Sequence, residues 1–207
     1  MSIILLTTTL LLSQQCSHDC EITYDEIYEQ VMYHTFKTKA PTDKQEQVLL
    51  DLIKLEKDWR RATPSFPKSL LGFSIAAAYV ESRYNPLAKG DWRTDRRGRK
   101  VAKAIGVLQL WPWWEDYYNV NRRDHIQSAS AWLAHVSRRH VKIQKKKMCP
   151  RNFSAERKWI VAWVQTTRGA PVNKANRFRC FQKPTHYRLL RRWKRQILKR
   201  RSEEDGC

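Results

Sequence analysis

The sequence predicts a mainly helical fold, and three observations carry that expectation. Apolar residues recur at the spacing of an amphipathic helix over several long stretches. Only six glycines and eight prolines occur in 207 residues, so few breakers interrupt those stretches. Hydrophobic residues at 42% and charged residues at 29% are the balance of a chain that buries a core, not of a disordered one.

A first helix is expected over about residues 22–36, with Tyr24, Ile27, Tyr28, Val31 and Thr35 on one face. Thr42-x-x-Gln45 is a capping-box pattern and opens a second helix carrying Leu49, Leu52, Ile53 and Leu55. Pro64-Ser65-Phe66-Pro67 breaks the chain and opens a third helix through Leu71, Ile75, Ala78 and Val80. That helix ends at Asn85-Pro86, because proline drives the residue before it out of the helical region. Residues 89–103 are rich in Gly, Asp and Arg without periodicity, which reads as a polar loop or short hairpin. A buried stretch over 104–110 and the aromatic cluster Trp111-Pro112-Trp113-Trp114 follow. Helices resume over 124–140 with Ile126, Ala129, Leu133 and Val136, over 154–165, and over 184–199 with Leu190, Trp193 and Ile197 as the stripe of a basic helix. No internal repeat or low-complexity linker divides the chain, so one helical domain is expected, with residues 21–66 packing on its core.

Forty Lys and Arg against twenty Asp and Glu give a net charge of +20. A field of that sign draws a protein to polyanions: nucleic acid, an acidic membrane surface or an anionic cell wall. The alternative is a basic surface that serves solubility. Nine Trp and eight Tyr supply aromatic faces that stack on sugars and on nucleobases alike. The apolar run over residues 3–12 is too short to span a bilayer and has the length of a signal-peptide core, so residues 1–20 read as an export segment. Cys149 and Cys180 bracket one predicted helix and its following loop, a pairing that fits an oxidising compartment. Cys16 and Cys20 lack the further ligands of a zinc site, and no metal or cofactor is expected.

The third helix is apolar from Ala76 to Val80, and Glu81 follows directly. An isolated carboxylate at the mouth of an apolar helix is poorly hydrated, and desolvation favours its protonated form, the one that donates a proton to a glycosidic oxygen. A solvated glutamate opposing the helix dipole is the other reading, and helix physics alone leaves both open.

The surrounding pattern separates them. Glu81-Ser82-x-x-Asn85-Pro86-x-Ala88-x-Gly90 resembles the first motif of the soluble lytic transglycosylases, a family of the lysozyme-like superfamily. Ala104-Ile105-Gly106-Val107-Leu108-Gln109-Leu110, with Pro112 shortly after, resembles its second motif, in the same order and at similar separation. The resemblance covers roughly residues 69–193. It implies a lysozyme-like helical domain over 67–200, with a small loop or hairpin beside the cleft and a tail over 201–207.

The resemblance further implies Glu81 as the sole acid/base and Ser82 as a hydroxyl that helps position the substrate. Asn85 would belong to the substrate-binding set, Gly106 would let backbone approach the sugar, and Gln109 would hydrogen-bond in the cleft. The third motif departs from the family, because the run Val161-Ala162-Trp163-Val164-Gln165 lacks the usual Tyr-Asn pair. Trp163 would replace the tyrosine as an aromatic wall, and Tyr187 resembles a late cleft tyrosine. The implied reaction cleaves the bond between N-acetylmuramic acid and N-acetylglucosamine and closes a 1,6-anhydro ring, with no cofactor. Peptidoglycan strands and anionic wall or membrane-surface polymers would be the partners, and the periplasm or cell envelope, bacterial or phage-borne, the location.

A goose-type lysozyme using water as acceptor is the near alternative, with Asp91, Asp95, Glu115 or Asp116 as a second carboxylate. A wall-binding protein that has lost catalysis is another. A nucleic-acid-binding helical protein is a rival of a different class, but no helix-turn-helix, zinc-finger or RNA-recognition motif supports it, and no specific nucleic acid is expected as a partner.

Overall fold

The computed structural model describes residues 21–36, 40–146, 150, 152–167, 180 and 183–204, and these form a mainly helical fold with one small sheet. The expected export segment over 1–20, Cys149 and the glycine of the third motif region, Gly169, lie outside the described residues. The helices are α1 (Tyr24–Glu29), α2 (Asp43–Arg61), α3 (Phe73–Ser82), α4 (Trp113–Tyr118), α5 (His125–Lys146), α6 (Ala155–Thr167) and α7 (Thr185–Glu204). Strands β1 (Lys89–Thr94) and β2 (Lys100–Ile105) pair antiparallel, with Trp92 opposite Ala102. Residues 89–103 therefore supply most of a hairpin. Its turn is held by Asp95, whose carboxylate accepts from the backbone of Arg97 and Arg99, while Gly98 takes a φ of 75°.

Both N-terminal helices begin at capping boxes, at Thr23 with Glu26 and at Thr42 with Gln45. The first helix does not run unbroken to residue 36. It passes into a π-helical segment (Gln30–Thr35), where the Thr35 hydroxyl donates to the Gln30 carbonyl at 2.7 Å. The buried Gln30 amide meets Gln196 and Arg200 of α7, so a tertiary contact sits where the helix changes pitch.

Tyr24, Ile27 and Val31 lie in the same buried cluster as Leu190, Trp193 and Ile197, so the N-terminal region and the last helix share one core. α7 also runs past the expected boundary to Glu204, because Arg201 pairs with Glu26 and donates to the Glu21 carbonyl. The middle of the core is aromatic. Phe66, Phe73, Trp132, Trp159 and Trp163 meet edge-on or tilted, with neighbouring ring centroids 4.7–6.5 Å apart.

The third helix starts later than Pro67 suggests. A 3-10 turn (Lys68–Leu70) comes first, and α3 opens at Gly72, whose φ is 87°. Its free N–H groups are met by Glu56 of α2, a fully buried carboxylate. Glu56 accepts from Gly72 N at 2.6 Å, Ser74 N at 2.9 Å, the Tyr24 hydroxyl at 3.0 Å and the Ser74 hydroxyl. Burial pushes the Glu56 carboxyl above its ordinary range, and the Ser74, Gly72 and Tyr24 donors pull the other way. No helix among the described residues is long and apolar enough to cross a membrane.

Candidate functional site

Glu81 stands in the last turn of α3, and the way that helix ends decides where its side chain points. Arg83 and Tyr84 both take left-handed conformations, with φ of 52° and 61°, so the helix stops before Asn85-Pro86 is reached. Arg83 N closes the final turn on Tyr79 O at 2.9 Å, and the Gln45 amide holds the Arg83 carbonyl at 2.8 Å. Tyr84 is buried and donates to Ile75 O, folding the chain back under the helix.

The turn over residues 106–109 meets this helix end. The Ser82 hydroxyl lies 2.8 Å from the Val107 carbonyl and 3.1 Å from the Ala78 carbonyl, and it ties the two motif regions together. Gly106 has a φ of 80°, and a Cβ there would fall 2.1 Å from the Arg122 carbonyl. The space that Gly106 keeps clear is therefore filled by protein backbone. Arg122 in turn donates to the Lys103 and Leu110 carbonyls and pairs with Glu115 at 3.1 Å, clamping the turn from below.

Gln109 is held in a left-handed conformation with φ of 49°. Its side chain donates to Gly106 O at 2.9 Å, and a Cβ on Gly90 would come within 2.3 Å of its Oε1. Gly90 and Gln109 thus require each other, which joins the hairpin to the turn.

These segments enclose a cleft of about 670 Å³, within the usual size range of ligand pockets. Glu81, Asp91, Gln109, Trp111, Trp113 and Trp132 are among its lining residues, with Thr166 and Thr167 from α6. The Trp111 indole donates to Asp91 at 2.8 Å.

Glu81 is not the isolated carboxylate that its sequence context suggests. Its side chain keeps 30% of its exposure, and Oε1 lies 2.9 Å from Nε2 of His186, the second residue of α7. His186 is buried, and its ring stacks parallel to Trp163, with centroids 5.8 Å apart and planes 12° from parallel. Its Nδ1 is buried without a hydrogen-bond partner among the described residues. Nε2 is the ring nitrogen that faces the carboxylate, and it is the one placed to donate to Glu81. Glu81 Oε2 has no hydrogen-bond partner among the described residues.

The remaining expected site residues divide. Gln109 lines the cleft with Glu81. Ser82 and Gly106 build its frame. Asn85 is exposed and accepts from Leu87 N in a local turn, and it does not line the cleft. Trp163 is fully buried behind His186 and forms no wall of the cleft. Tyr187 donates to Glu156 at 3.0 Å and lines a separate surface depression with Lys194 and Arg195. Among the four other carboxylates, Asp95 is engaged in the hairpin turn and Glu115 with Arg122; only Asp91 shares the cleft with Glu81. No group of three or more metal-ligating side chains occurs among the described residues. Cys180 is buried and disulfide-bonded, but the other four cysteines lie outside the described residues, so the pairing with Cys149 stands as an expectation.

The comparisons with known proteins return no match to a family profile, a curated protein or a solved structure.

His186 is the site residue that sequence reasoning missed. It lies 105 positions from Glu81, and no local spacing links the two. Its one sequence signal is a histidine among the first residues of an otherwise basic helix, next to Tyr187.

Proposed function

We propose that this protein is a peptidoglycan lytic transglycosylase of lysozyme-like fold, with Glu81 as its acid and base. The observation that carries the reading is that Glu81 and Gln109, which belong to separate motifs, face one cleft walled by tryptophans. Protonated on Oε2, Glu81 would give its proton to the oxygen linking N-acetylmuramic acid to N-acetylglucosamine as that bond breaks. The carboxylate left behind would then take the proton of the muramic 6-hydroxyl. That oxygen bonds to the anomeric carbon, closing the 1,6-anhydro ring and returning Glu81 to its acid form. His186 would donate to Oε1 throughout, fixing the carboxyl while leaving Oε2 for the substrate. Tryptophan faces suit sugar rings, and the Gln109 amide suits an N-acetyl group. The positive net charge of +20 suits an anionic wall, and the reading places the protein in a cell envelope as an exported enzyme.

Product chemistry tests this. Digestion of purified peptidoglycan is expected to release muropeptides one water lighter than lysozyme products, with ends that borohydride does not reduce. A bound hydroxyl competes well with water because its orientation is fixed before the reaction step. Mass spectrometry before and after reduction reads the outcome, and products whose ends mostly take up hydride would replace this reading with hydrolysis. Asp91 is the reason to keep that second reading, since it alone of the other candidate carboxylates lines the cleft. In the hydrolytic case Asp91→Asn would abolish turnover, whereas transglycosylation should survive it.

His186 has its own expected result. His186→Phe should lower kcat by about 10- to 100-fold with little change in KM, the range that loss of one positioning hydrogen bond in a catalytic site reaches. His186→Gln, which can still offer an N–H to Glu81, should recover part of the loss. Wild-type kcat in a folded His186→Phe protein would remove the positioning role.

A further inference from the structure

The wall formed by Trp113 has a second side. A cavity of about 360 Å³ lies there, bounded by Trp113, Tyr117, His135, Arg138, Arg139 and Lys142, so one indole borders both it and the Glu81 cleft. Trp113 and Tyr117 keep 39% and 58% of their exposure, leaving ring surface for a ligand.

Three cations and, among the described residues, no carboxylate line this cavity. Arg61, Arg99, Arg122 and Arg201 each pair with an acid, whereas Arg138, Arg139 and Lys142 pair with none among the described residues. Both guanidinium groups are nevertheless oriented. Arg138 lies over the rings of Tyr117 and Tyr118, 5.6 and 5.3 Å from their centroids, and donates to the Tyr117 hydroxyl. Arg139 donates from Nε to His135 Nε2 at 3.0 Å, which makes that nitrogen an acceptor and leaves Nδ1–H to face the Tyr118 hydroxyl at 2.8 Å. His135 is thus a neutral bracket for Arg139. Burial, with Arg139, Lys142 and Arg138 close by, holds its pKa down at about 4. The terminal nitrogens of Arg139 carry no hydrogen bond among the described residues. Oriented guanidinium groups without an acidic partner recognise the paired oxygens of carboxylates and phosphates.

We infer that this cavity is a binding site for an anionic oxygen group, carboxylate or phosphate, carried on the glycan whose sugar stacks on Trp113 beside the cleavage point. The inference rests on the proposed carbohydrate reading of the cleft. The proposed reading of the adjoining cleft favours a glycan over single-stranded nucleic acid, and Trp113, which borders both cavities, lets one strand occupy the two.

The test compares the wild type with Arg138→Gln/Arg139→Gln and, separately, with Lys142→Gln, an exposed change that leaves the His135 bracket intact. Binding is followed by tryptophan fluorescence, and cleavage in parallel. The probes are soluble peptidoglycan strands, the same strands with their carboxylates amidated, strands stripped of phosphate polymer, and a neutral N-acetylglucosamine oligomer. The double variant should bind the untreated strands about tenfold or more weakly, the loss of one charge-assisted contact or better, and bind the neutral oligomer as the wild type does. Lys142→Gln should show a smaller loss in the same direction. Amidation lowering wild-type affinity identifies carboxylate as the source, and phosphate stripping doing so identifies phosphate.

Equal losses on neutral and charged probes, or no loss on either, would overturn the inference. So would a single-stranded oligonucleotide that binds more tightly than the strands and loses its affinity in the same variants. Charge-dependent binding without any cleavage would leave the cavity's role standing and sink the transglycosylase reading instead.

Discussion

Glu81→Gln is expected to reduce peptidoglycan turnover by about 10²–10⁴-fold while leaving the fold and strand binding intact. The substitution keeps the side chain's shape and its contact with His186, since an amide oxygen still accepts from Nε2, but it removes the transferable proton. Glu81 is partly exposed, and its one contact with a buried side chain, His186, survives in the amide, so the melting temperature should move little. Circular dichroism and a wall-solubilisation assay on the same preparation check both halves. A folded variant with wild-type activity would end the proposed mechanism, and one that no longer binds strands would show Glu81 to be a binding residue only.

Glu56→Ala should produce the largest loss of stability, on the order of 3–5 kcal/mol, because it strands several buried donors at once. Gly72 N, Ser74 N and the Ser74 hydroxyl would lose their acceptor, and the truncated side chain would leave a cavity beside Tyr24. Those donors belong to the start of the helix that ends in Glu81, so activity should fall together with stability. Glu56→Gln should cost less, because one oxygen still faces the donors while the new NH₂ group opposes them. Urea unfolding at neutral pH gives the difference, and a change below about 1 kcal/mol for the alanine variant would show that water replaces the carboxylate without strain.

Glu56 was legible in part. It continues the helical spacing of Leu49, Leu52 and Ile53, and a glutamate on an apolar stripe is a signal that its charge meets partners inside. Leu55, which the helical spacing puts on that stripe, is only half-buried. The Pro64–Pro67 break is legible in the chain, but the start of the following helix is not, because its first donors are satisfied from another helix. The π-helical segment after α1 was hidden for the same reason: the buried amide of Gln30 answers residues far along the chain in α7.

The sequence by itself determined the helical character, the capping box of Thr42 with Gln45, the buried stretch over residues 104–110, and the placing of Glu81 at the end of an apolar helix. Each depends on residues within a few positions of one another, where side-chain period and backbone hydrogen bonding act. The tertiary structure alone decided which groups surround Glu81. It set His186 against its carboxylate, put Trp163 behind that histidine instead of in the cleft, filled the space beside Gly106 with the Arg122 carbonyl, and drew Asp91 into the cleft while leaving Asp95 and Glu115 in their own ion pairs. Those outcomes follow from how helices pack around a shared aromatic core, which joins residues more than a hundred positions apart and leaves no periodic trace in the chain.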